Sequence, residues 1–305
     1  MREPGYCSSI PDARLHPNSV AEADEQAMNE YCSATIDGPA LIFGGNYSNL
    51  EATRAVLAEA GLRGIPAGNV VCTGDIIAYC ADPLATVEVV RRSGAHVVMG
   101  NCEESLGFGS ADCGCGFEKG SPCDLLAAEW YGFASRMLGE NSRAWMRTLP
   151  RRIYLNIGGR RLAVIHGDAA NINGYVFAST AQEVMRREIA LADCDGILGG
   201  HCGLPFTEIV DGRLWHNPGA IGMPANDGTS RTWYSTITPG SDGLSIEHHA
   251  LEYDFSAAAM KMRQAGLSER YALALQEGLW SSSDMLPEAE LAKRGKPLSP
   301  GRVTW

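Results

Sequence analysis

Four short apolar runs in this chain end in the same way. Val70-Val71-Cys72 leads into Gly74-Asp75, and His96-Val97-Val98-Met99 leads into Gly100-Asn101. Leu162-Ala163-Val164-Ile165 leads into His166-Gly167, and Gly196-Ile197-Leu198 leads into Gly200-His201. Each run has the length and β-branched content of a buried strand, and each is followed by a glycine beside a residue able to bind metal. Glycine lets the backbone turn sharply and brings its neighbour to the sheet edge. In open α/β sheets, ligands bind beyond the carboxyl ends of strands. One carboxylate, one amide oxygen and two imidazoles suit a borderline divalent ion such as Zn, Mn or Fe. Asp75, Asn101, His166 and His201 are therefore the expected metal ligands. Any one of these dipeptides alone is an ordinary turn. The signal lies in four of them, each following an apolar strand.

The surrounding pattern is α/β. Ala40-Leu41-Ile42-Phe43 reads as a strand, and residues 49–60 carry apolar side chains at helical spacing. A further helix is expected around 83–93, between the strands at 69–73 and 96–99. This alternation implies a parallel layer. Residues 106–123 form a Gly- and Cys-rich insertion, followed by a helical pair at 125–138 and 141–149. The grammar then changes to hairpins, with Gly158-Gly159 as the turn between two strands. A C-terminal helix pair is expected over 256–279. The domain reading is an N-terminal extension over 1–38 with at most a short helix at 21–31, a single domain over 39–285, and a polar peripheral tail over 286–305.

Composition excludes several functions. The formal net charge is −11 and no run of five basic residues occurs, so neither a duplex nucleic acid nor an anionic membrane is an expected partner. The basic cluster from Arg143 to Arg161 reads as a solvated edge. No segment reaches the roughly 18 apolar residues of a membrane span, and the first residues do not resemble a secretory signal. Cytoplasmic residence is the expectation. The oligomeric state is left open. There are 10 cysteines. In a reducing compartment these are free thiols, metal ligands or catalytic groups.

On these residues the chain resembles the calcineurin-like metallophosphoesterases, of the small bacterial phosphodiesterase type. That family carries D-x-H, G-D, G-N-H, H-G and G-H-x-H in this order. Asn49-Leu50-Glu51-Ala52, Asn217-Pro218-Gly219-Ala220 and Glu252-Tyr253-Asp254 add to the likeness, which spans residues 40–285. It implies a four-layer α/β/β/α sandwich with a dimetal centre at the sheet edge, and hydrolysis of a phosphomonoester or phosphodiester.

The departures from the family pattern are concentrated. D-x-H becomes Gly45-Asn46-Tyr47, G-N-H becomes Gly100-Asn101-Cys102, and G-H-x-H becomes Gly200-His201-Cys202-Gly203. In the family, one ion depends on the D-x-H pair and the last His, and those unshared ligands are missing here. The other ion's four ligands all remain. The resemblance thus implies one surviving metal position, with Asn101, Cys102 and His166 as the catalytic candidates. Cys102 stands where the family has the His that assists the leaving oxygen. Cys102 and Cys202 each follow a retained ligand, and the insertion adds Cys113, Cys115 and Cys123. Two readings stay open: sulfur joins a second metal or an iron–sulfur cluster with redox, thiol or sensing chemistry, or these cysteines fill space and the loop thiols are structural.

Overall fold

The computed structural model describes residues 32–305; the helix expected at 21–31 lies outside them. Two six-stranded sheets stack face to face. The first has the order β1 (Cys32–Ile36), β5 (Arg152–Ile157), β6 (Arg160–Ile165), β7 (Gly196–Leu198), β9 (Arg213–Asn217), β8 (Phe206–Val210). The second has the order β12 (Val303–Thr304), β11 (Gly243–Leu251), β10 (Thr232–Gly240), β2 (Ala40–Phe43), β3 (Val70–Cys72), β4 (His96–Val97). Parallel runs β6–β7–β9 and β2–β3–β4 lie within the first sheet and at one end of the second.

Strand periodicity explains the layering. In β2, Ala40 and Ile42 face the other sheet, while Leu41 and Phe43 face helices. In β6, Leu162 and Val164 point inward, while Ala163 and Ile165 point outward. Both faces are covered, so these strands are apolar throughout instead of alternating with polar residues. Outside the second sheet lie α1 (Leu50–Leu62), α2 (Pro83–Arg92), α3 (Asn101–Phe108), α4 (Pro122–Met137), α5 (Glu140–Arg147), α7 (Phe255–Gln264) and α8 (Glu269–Glu277). Outside the first lies α6 (Gln182–Leu191), whose Met185 and Ile189 pack on Ile197 and Trp215. The result is the mixed α/β four-layer sandwich of the metallophosphoesterases. No helix among the described residues is long and apolar enough to cross a membrane.

Residues at both margins of the described chain join the sandwich. Cys32–Ile36 pairs in parallel with β5, so the last residues of the 1–38 segment are part of the sandwich. Val303–Thr304 extends the second sheet beside β11. Trp305 stacks under the Arg160 guanidinium, 4.7 Å from the ring centre. Glu290, in the short helix α9 (Glu288–Leu291), is buried and accepts from the Ser179 amide at 2.9 Å. Strand pairing and one buried carboxylate thus fix a segment whose composition reads as polar.

A buried histidine links the two sheets. His216 of β9 is fully buried, 2.8 Å from Thr207 Oγ1 and 2.7 Å from Ser235 Oγ of β10. Burial, and then the neighbouring His248, hold its pKa well below the usual histidine value. The folded protein therefore keeps it neutral where the unfolded chain, with a pKa of about 6.5, takes up a proton. Its contribution to stability is complete above pH ~6.5 and is lost as pH falls from there toward the folded pKa. Urea unfolding at pH 7.5, 6 and 5 should show this residue contributing a slope of about 1.4 kcal/mol per pH unit below pH ~6.5. In His216→Gln that part of the slope should be missing; an unchanged slope would refute the assignment.

Candidate metal centre

The carboxyl ends of β3, β4, β6 and β7 meet where the two sheets adjoin. Asp75 and Asn101 come from the second sheet, His166 and His201 from the first. The four side chains converge on His166 Nε2. It lies 3.0 Å from Asn101 Oδ1, 3.2 Å from His201 Nδ1 and 3.3 Å from Asp75 Oδ1. Among the described residues, Asp75, His166 and His201 form the one group of His, Cys, Asp and Glu side chains able to share an ion, their ligand atoms lying within 4.8 Å of one another.

The surroundings aim each group. His166 Nδ1 lies 2.6 Å from the Thr73 carbonyl, which assigns the proton to Nδ1 and leaves Nε2 to face the other three groups, a common arrangement for a metal-binding imidazole. Asn101 Nδ2 donates to the Cys113 carbonyl at 2.9 Å, so Oδ1 is the end turned to the centre. Asp75 and His201 both have left-handed backbones, with φ of 42° and 57°. Such strain in non-glycine residues is retained at functional sites. Gly100 has no room for a side chain: a Cβ there would lie 2.6 Å from the Asp75 amide nitrogen.

Electrostatics calls for a cation at the point of convergence. Burial alone would raise the Asp75 pKa, but His166 and then His201 outweigh it and leave the carboxyl below its usual range. Burial alone would lower His166, but Asp75 and the Thr73 carbonyl outweigh it and raise the imidazole. Burial and then His166 push His201 down to about 3, keeping it neutral. Three acceptors thus face one nitrogen, and that geometry needs a proton or a metal ion between them. A tetrahedral ion with bonds of about 2.0–2.1 Å spaces its ligands about 3.3 Å apart. The distances around His166 Nε2 match this, and the oxygen and imidazole donors suit a divalent ion. This is a partial divalent-metal site.

The Tyr47 ring stands close to both glycines that replace the family's other ligands. A Cβ at Gly45 would lie 2.7 Å from Tyr47 Cζ, and one at Gly203 would lie 3.3 Å from the Tyr47 hydroxyl. The Tyr47 ring thus occupies the space that side chains at both positions would need. Tyr47 is buried, and burial followed by Asp75 raises its pKa well above the usual tyrosine value, so it remains an uncharged phenol.

The cysteines of the open cluster reading do not converge on one point. Cys113 and Cys115 are joined as a disulfide, and Cys123 donates to Asp284 Oδ1 at 2.9 Å. These three therefore form no shared ligand group. Cys102 and Cys202 flank the centre without joining the convergent set. The Cys102 amide donates to Asp75 Oδ1 at 3.2 Å, and Cys202 Sγ accepts from Asn217 Nδ2 at 3.2 Å. Burial pushes the Cys202 thiol to about 12 and raises Cys102 well above its usual value. Both keep their protons. The insertion's visible role is to cover the centre: besides holding the Asn101 amide, it accepts from Asn173 at the Gly114 carbonyl and from the Tyr175 hydroxyl at the Cys115 carbonyl.

Glu103 was not singled out from the sequence. It is fully buried, accepting from the Ile76 and Ile77 amides at 2.8 and 3.2 Å through Oε1 and from Gly100 at 3.0 Å through Oε2. It ties the Asp75 loop to the start of α3. The available signal was a Glu three residues after Gly100, the spacing of a helix-start carboxylate. Asp168, which follows His166-Gly167, caps its own loop by accepting from the Ala170 and Asn171 amides.

Residues 47–238 match the profile described as the Calcineurin-like phosphoesterase superfamily domain. An uncharacterized protein of Methanocaldococcus jannaschii is 28% identical over 241 residues, covering 73% of this chain and 91% of that protein. A metallophosphoesterase of Sphaerobacter thermophilus superposes with a TM-score of 0.62 at 24% identity, covering 80% of this chain and all of the other. A hypothetical protein of Pyrococcus horikoshii gives a TM-score of 0.66 at 16% identity, covering 81% of this chain and all of its own. The profile match spans more than half of the chain, and the fold and the retained ligand cluster agree with it. The chain therefore belongs to the calcineurin-like phosphoesterase superfamily, as a divergent metallophosphoesterase-type hydrolase with an incomplete metal site.

Proposed function

We propose that this protein hydrolyses a small phosphoester with a single divalent ion (Zn, Mn or Fe) held by Asp75, Asn101, His166 and His201. The observation that carries the reading is the convergence of those four groups around His166 Nε2 at 3.0–3.3 Å. Such an ion supplies a Lewis acid for a phosphoryl oxygen and makes water more acidic.

The protein's own residues do the rest. The Thr73 carbonyl fixes the His166 ring, and the Cys113 carbonyl fixes the Asn101 amide, so two of the four groups are set before any ligand arrives. The Tyr47 phenol sits at the wall of the adjoining cavity as a neutral donor. Cys102 lies beside Asn101, its Sγ 3.6 Å from Asn101 Nδ2. Its raised pKa keeps the proton in place and makes it a weak general acid, because efficient proton transfer needs a pKa near the working pH. Esters with good leaving groups should therefore react fastest.

The sulfur-ligated alternative has less support. Two of its five thiols are bonded to each other, and Cys123 is engaged with Asp284.

The test is purification without oxygen, followed by elemental analysis, a visible spectrum, and turnover of aryl phosphoesters with Mn, Zn or Fe. One divalent ion per chain with turnover above background supports the proposal. No turnover with any of the metals would overturn the hydrolase reading, and acid-labile sulfide with visible absorption would favour the cluster.

A further inference from the structure

Beside the metal centre lies a small, partly open cavity of about 70 Å³. Asp75 and His201 reach its floor. Its walls carry six aromatic rings, Tyr47, Tyr79, Phe117, Tyr175, Tyr271 and Trp280. The rings brace one another: Tyr79 lies 4.9 Å from both Tyr47 and Tyr271, and Tyr175 lies 4.2 Å from the His201 ring. Tyr271 and Trp280 lie beyond the segment that matches the superfamily profile, which ends at 238. One wall thus comes from outside the segment that matches the superfamily profile.

The lining contains no Lys or Arg, and Asp75 is its one carboxylate. A divalent ion with Asp75 leaves one net positive charge at the floor. A singly charged phosphoester balances that charge. A doubly charged monoester leaves one negative charge in an apolar enclosure with no cation to meet it, and such charges are costly to bury.

We infer that this cavity binds a flat, apolar, ring-bearing arm of a singly charged phosphoester, placing its phosphoryl group at the floor beside Asp75 and His201. The inference rests on the proposed hydrolase reading for the charge at the floor. The ring-lined walls are independent of it. Aromatic walls take planar groups by offset or edge-to-face contact.

The experiment is calorimetric titration of the metal-loaded protein with three probes that carry poor leaving groups, their integrity checked by phosphorus NMR after each titration: diphenyl phosphate, phenyl phosphate and dimethyl phosphate. Diphenyl phosphate should bind at least about tenfold more tightly than either of the others, as expected for burying an aromatic ring and for matched charge. Phe117→Ala should lose about tenfold for diphenyl phosphate and leave dimethyl phosphate unchanged. Leu126→Gln, at a half-buried position of α4, repeats the test at a second wall should the first variant fold poorly. Equal binding of dimethyl phosphate, or tighter binding of phenyl phosphate, would overturn the inference whatever the turnover results. Preferred binding of diphenyl phosphate without hydrolysis of any aryl diester would leave the cavity assignment standing and remove the hydrolase reading.

Discussion

Gly45→Asp alone should destabilise the fold by about 2–4 kcal/mol. The new Cβ would lie 2.7 Å from Tyr47 Cζ and 2.8 Å from the Ala220 side chain, on a backbone with φ of 53°. A buried ring and a buried methyl cannot both move aside in a close-packed interior. Combined with Tyr47→His, the same change should cost less than the sum of the two single variants, because the imidazole is shorter than the phenol it replaces. A double-mutant cycle by urea denaturation measures this directly, with a coupling of about 1–2 kcal/mol expected for side chains in contact. Simple additivity would mean that the Tyr47 ring does not occupy the space at residue 45.

Asp75→Asn should weaken divalent-ion binding by at least about 100-fold, roughly 2.7 kcal/mol. Asp75 provides the only formal negative charge in the convergent set, and even the groups that orient metal ligands typically change affinity 10- to 100-fold. Cys102→Ser and Cys202→Ser should leave affinity within about threefold, well under 1 kcal/mol. Neither sulfur belongs to the group able to share an ion; the Cys102 thiol hydrogen-bonds Asp75, and Cys202 Sγ accepts from Asn217 Nδ2. Calorimetric titration with Zn or Mn provides the readout. A large loss in either cysteine variant, with Asp75→Asn unaffected, would reverse the assignment and make sulfur the ligand. Asn keeps the shape of Asp and avoids the several kcal/mol penalty of stranding a buried charge, so the variant should fold.

The pairing of these two results bears on how the protein departs from its family. One ion position keeps all four ligands. At the other, the family's unshared ligands are replaced by Gly45, Tyr47 and Gly203, with the Tyr47 ring close to both glycines. A centre with one ion and a raised-pKa thiol in place of an imidazole suits substrates that need little help at the leaving oxygen, in keeping with the ring-lined cavity beside it.

The amino-acid sequence by itself was enough for the alternation of strands and helices between residues 40 and 101, the Gly-Gly hairpin, the C-terminal helix pair and the four residues that meet at the centre. These are properties of local period and of residue type at strand ends, and both are written in short windows. Only the tertiary structure decided that β1 crosses to pair with β5, that the last residues extend a sheet under Trp305, and that the Tyr47 ring packs against Gly45 and Gly203. It also decided that Cys113 holds the Asn101 amide and that Glu103 ties two loops together. Each of these joins segments distant in the chain or depends on which way a side chain turns. Such choices follow from the packing of the whole interior, where a ring, a carbonyl or a carboxylate takes the position left open by elements far away in sequence.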